Sequence, residues 1–145
     1  MTIRIAWAAL AMASLSACTG GASAAPKNWQ TIPGARNAWT NGRGSQYRYD
    51  SAPFGGALSD LASEVAIDAL TRNRGAKLQS SNPFPACPGA AGLATFRLSS
   101  RALLAEGFAV RDGQAVRAHY LRPAGAPADP AVLQAMQSVL CKPPA

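Results

Sequence analysis

Histidine occurs once in these 145 residues and cysteine three times, which leaves metal chemistry poorly supplied. A structural zinc site takes four ligands, usually with a close pair such as C-x-x-C. Cys87, Cys141 and His119 offer three, and no two are close in sequence. Catalytic templates are missing as well: G-x-S-x-G, H-E-x-x-H, the P-loop and the dinucleotide glycine pattern do not occur. Acidic residues are scarce, 7 Asp and Glu against 14 Lys and Arg. No five or six like charges run together, so the basic excess reads first as a solvated surface. There is no internal repeat, and no apolar run reaches the ~20 residues of a membrane-spanning helix.

What is present at the start of the chain concerns address. Arg4 precedes an apolar stretch from Ile5 to Leu15, and small residues follow, the composition of a bacterial secretory signal. Leu15-Ser16-Ala17-Cys18 resembles the lipobox of bacterial lipoproteins, in which Cys18 is lipidated and becomes the mature N-terminus. Ala22-Ser23-Ala24 also fits the small-x-small pattern of ordinary cleavage, which would release a soluble periplasmic or secreted protein. We favour the lipobox, since its four positions match at the end of the apolar stretch. The expected organisation is a signal over 1–17, a flexible tether over 18–28, and one domain over 29–145.

Without Cys18, Cys87 and Cys141 form an even pair in a compartment that permits disulfides, and a bond between them is expected. It would close about 55 residues and contribute about 4 kcal/mol on a chain-entropy account. The leader carries one of the 14 Lys and Arg and none of the 7 acids, so the mature chain is basic at 13 against 7. For an exported protein the matching anions are lipid head groups or acidic envelope polymers, and nucleic acid is not an expected partner. About 125 residues suffice for one core.

Along that chain, Asn41-Gly42 predicts a hairpin between strands near 36–40 and 45–51, with Tyr47 and Tyr49 on one face and Arg48 on the other. Leu58, Leu61, Ala62, Val65 and Ala69 fall at helical spacing. Asp60 and Glu64 read as an exposed early face of that helix, and Gly75 as its left-handed stop. A strand is expected over "KLQSS", whereas the prolines of "NPFPACPGAAG" exclude one there. Leu93 to Leu98 alternates as a strand, Ala94 and Phe96 against Thr95 and Arg97. Asp112-Gly113 suits a type I′ turn whose two-residue register pairs Ala109 with Val116, Gly107 with Ala118, Phe108 with Arg117, and Glu106 with His119. A last helix starts at Asp129-Pro130, buries Val132, Met136, Val139 and Leu140, and ends at Cys141.

Together these elements predict an α+β fold, an antiparallel sheet flanked by two main helices with one disulfide. The early tryptophan and aromatic hairpin, the helix at "GALSDLASEVAIDALTRNRGAKL", the strand at "GLATFRL" and "VRAHYLRPAGAPADPAVLQAMQSVL" resemble the PsbP-like family, which includes bacterial DcrB-type lipoproteins. That resemblance implies an accessory or assembly role outside the cytoplasm, without established chemistry and without a cofactor. The expected function is therefore that of a non-enzymatic envelope lipoprotein, facing the periplasm and held to the membrane through Cys18. Two alternatives stand beside it. Glu106 opposite His119 is the one pair with catalytic flavour, as in a hydrolase-like enzyme, although a cross-strand ion pair accounts for it more simply. Arg48, Arg97 and Arg117 with Trp39 and Phe108 would form a binding face for an anionic or carbohydrate ligand, if the strand order brings them together.

Overall fold

The structure is a computed structural model and describes residues 24–141. The expected signal, the lipobox with Cys18, and residues 142–145 lie outside the described residues.

Seven strands form one antiparallel sheet: β1 (Gln30–Thr31), β2 (Ala38–Thr40), β3 (Gln46–Pro53), β4 (Lys77–Pro83), β5 (Ala91–Arg97), β6 (Ala102–Arg111) and β7 (Gln114–Pro123). Their spatial order is β1-β2-β3-β7-β6-β5-β4. Helix α1 (Leu58–Arg72) connects β3 to β4, and α2 (Pro130–Leu140) follows β7. The molecule is richer in strand than the sequence reading, which missed β1. Two exposed residues carry no periodic signal.

The β6–β7 hairpin sets the frame. Asp112 and Gly113 both have positive φ, 50° and 72°, and the predicted register follows from Arg111↔Gln114 through Glu106↔His119 to Ala105↔Tyr120. Alternation then sorts the sheet into two cores. Ala109, Val116, Ala118 and Tyr120 pack with Val132, Ala135, Met136, Val139 and Leu140 of α2. Phe108, Leu104, Ala115, Ala94 and Phe96 pack with Leu61, Val65 and Ala69 of α1. Because consecutive strand residues point to opposite sides, α1 and α2 cover opposite faces. A Cβ at Gly107 would come within 2.6 Å of Leu140 Cδ1 and 2.7 Å of Met136 Cε, so the bare backbone there is what lets α2 sit close.

Helix ends follow local chemistry. The Asp60 carboxylate accepts from the Ala57 N–H at 2.8 Å, satisfying a donor at the start of α1. Asn73 closes α1 by donating its side-chain amide to the Ala69 carbonyl at 2.9 Å, and Gly75 takes φ 83° beyond it. Asp129 accepts the Ala131 N–H at 2.9 Å, with Pro130 in the first turn of α2. At the other end of α2, Cys141 is bonded to Cys87 across a Cα–Cα distance of 5.8 Å, and Arg111 donates to the Val139 carbonyl at 2.5 Å.

One expectation needs correction. Strand β4 runs through Asn82 to Pro83, into the segment whose prolines argued against it, and Pro83 pairs with Gly92. This strand is the sheet's edge, so only one side needs ladder donors and a missing N–H costs little. The described end of the expected tether, residues 24–28, lies against the fold. Ala24 and Ala25 pack on the α2-side core, Pro26 is buried, and the Trp29 indole N–H donates to Asp129 at 2.9 Å. Three small residues offered no periodicity to reveal that docking.

Candidate functional site

Helix α1 rests on β6, β5 and β4, off the centre of its face of the sheet. Beside it the same face of β7 and β3 carries polar side chains, and a cleft of about 250 Å³ opens between them and the last two turns of α1. The register builds its floor. Glu106, His119 and Arg48 stand in one row across β6, β7 and β3, and Arg117 faces Asp50 in the next.

His119 lies between two carboxylates. Its Nδ1 is 2.5 Å from Glu106 Oε2 and its Nε2 is 3.2 Å from Asp50 Oδ2. Glu106 is only 7% exposed, one of two buried polar residues in the described chain, whereas Asp50 lies open to solvent. Arg117 reaches in the other direction, to Asp68 at 2.5 Å and Glu64 at 3.4 Å. Those two acids are one helical turn apart on the flank of α1, so Arg117 ties the helix to β7. Val65, Ala69, Leu104 and Leu121 give the cleft its apolar part, and Arg48 and Arg72 enter it from the sheet and from the end of α1.

The structure brings together part of what the sequence suggested. Glu106 and His119 meet as predicted, and Arg48 and Arg117 share their face. The five-residue binding face does not form. Arg97 alternates with Phe96 and so belongs to the opposite face. Trp39 is buried on the α2 side, stacked on Tyr47 and Tyr49 at 5.8 and 5.9 Å. Phe108 is on the right face but lies beneath α1, 3% exposed. With both aromatics covered, the flat platform expected for a carbohydrate is absent among the described residues. The zinc alternative fails for a simpler reason, since Cys87 and Cys141 are bonded to each other.

Sequence reasoning missed Arg72, Asp50 and Asp68. Asp50 stands two residues from Arg48, as Tyr49 does from Tyr47, and so shares its face, which was readable; its neighbour across the sheet was not. Glu64 is exposed, as read, and in addition pairs with Arg117. Ser99 and Ser100, the serines nearest to β5 in sequence, follow Leu98 in a turn and do not line the cleft. The Tyr47 hydroxyl is fully buried with no hydrogen-bond partner among the described residues. Burial pushes that phenol well above its ordinary range, with Tyr49 adding to the effect.

No protein-family model matches the chain, and the comparison with curated proteins finds no match. Among the described residues, no helix is long and apolar enough to cross a membrane.

Proposed function

We propose that this protein is an exported envelope lipoprotein, anchored through Cys18, that works by binding rather than by bond-making chemistry. The observation that carries the second half is the placement of His119. A general base needs a ring nitrogen aimed at a substrate proton, and both nitrogens here face carboxylate oxygens. The first half rests on the sequence before residue 24 and is supported by the Cys87–Cys141 bond, which suits an oxidising compartment. Seven antiparallel strands with two helices are broadly in keeping with the α+β class, and the PsbP-like resemblance of the sequence is the ground for an accessory or assembly role facing the periplasm.

The hydrolase reading keeps the cleft, which holds Glu106 and His119 together, but it lacks a nucleophile. No serine, threonine or cysteine lines the cleft. Intact mass and fractionation of the protein from its own envelope test the anchor: acyl chains on Cys18 and membrane recovery are expected, and an unacylated soluble form beginning at Ala25 would refute it. Ester and amide turnover that disappears in His119→Ala, with the variant still folded, would overturn the non-enzymatic half.

A further inference from the structure

From two arginines that enter the cleft without an ion-pair partner we infer that it is a receptor for a small anionic amphiphile, a carboxylate or phosphate head on a short apolar body. This rests on the binding reading above and names the class of ligand. The charges that line or flank the cleft fall into two groups. Arg117 is shared by two carboxylates, Asp68 and Glu64, while Glu106 and Asp50 flank His119. Arg48 and Arg72 have no acidic partner among the described residues. Both line the cleft, one from strand β3 and one from the last turn of α1, so two guanidinium groups outside any ion pair enter a single cavity from different walls.

Each arginine has an ordinary explanation when taken alone. Arg72 complements the C-terminal end of the helix dipole, and Arg48 is an exposed strand residue. Neither explanation accounts for the apolar side chains beside them. Val65, Ala69, Leu98, Leu104 and Leu121 line the same space, so a ligand desolvates hydrocarbon while its head meets guanidinium groups. Planar guanidinium forks match the oxygens of carboxylate and phosphate, which sets the head-group chemistry. Volume sets the body. At about 30 Å³ per water-sized group, 250 Å³ admits roughly eight non-hydrogen atoms, a six-carbon acid rather than a whole lipid.

The test uses the full chain carrying Cys18→Ser with its disulfide intact, titrated with hexanoate, propyl phosphate, hexanol and hexylamine while backbone amide resonances are followed. Saturable shifts on β3, β7 and the last turn of α1 are expected with both anions. Hexanol and hexylamine are each expected to bind at least about tenfold more weakly, tighter binding of hexylamine than of hexanoate overturning the inference, and Arg48→Gln and Arg72→Gln each to weaken the anions about tenfold while leaving hexanol unchanged. Preference for hexanoate would point to fatty-acid-like ligands and preference for propyl phosphate to phosphate-headed ones, each supporting the inference. Equal binding of hexanol and hexanoate, shifts mapping to the α2 face, or no saturable binding of either anion would overturn it. Those results leave the binding-protein reading in place, because that reading falls to His119-dependent turnover instead.

Discussion

One hairpin presents two unlike faces. Toward α2, β6 and β7 offer Ala105, Gly107, Ala109, Val116, Ala118 and Tyr120, and the helix closes down on them with its far end pinned by a disulfide. Toward α1, the same strands offer Leu104, Glu106, Phe108, Ala115, Arg117 and His119, and the helix covers only the β6 side. Small apolar residues let a helix approach closely, and close approach excludes water. Charged side chains cannot be covered that way without partners. The α2 face is therefore where the fold holds itself together, and the open part of the α1 face is where it can recognise something else.

The largest expected break in that contrast is at the disulfide. Replacing Cys87 and Cys141 together by serine should cost about 4 kcal/mol, since the unfolded chain regains the freedom of a 54-residue separation. Denaturation with and without reductant measures it, and equal midpoints would show that α2 docks as firmly without its staple. A smaller loss, about 2 kcal/mol, is expected for His119→Ala, which leaves the buried Glu106 carboxylate without its partner. Adding Glu106→Gln to that variant should restore part of the loss, and a double-mutant cycle with no coupling would refute the pair.

The smallest effect sharpens the comparison from within the α2-side core. Tyr47→Phe should be neutral or stabilising by up to about 1 kcal/mol, because it removes a buried hydroxyl that has no hydrogen-bond partner. Its pH dependence has a definite sign. Folding raises the phenol's pKa, so the native state keeps its proton while the unfolded chain ionises above about pH 10. Stability is thus intact below that pH and falls as pH rises beyond it. The fall should be shallower in Tyr47→Phe, and parallel curves would show that this phenol ionises alike in both states.

Much of the fold was legible because its signals are local. Asp112-Gly113 dictates a turn, the turn dictates a register, and the register places Glu106 against His119. The apolar stripes of α1 and α2 and their capping residues are equally short-range. What escaped prediction depended on neighbours distant in sequence. Pro83 is tolerable because β4 has a partner on one side only. Trp39 and Arg97 left the expected binding face because their own alternation, once strand order was known, turned them toward α2.

By itself, then, the sequence determined the β6–β7 pairing, the two amphipathic helices and the cysteine pair, each specified by residues within a few turns of one another or by simple parity. Only the tertiary structure decided that α1 would sit off centre, that Arg117 would engage Asp68 and Glu64, and that Arg48 and Arg72 would enter one cleft unpaired. The reason is geometric. Periodicity tells which side of its own element a residue faces, but which elements become neighbours depends on how all the buried faces are satisfied at once.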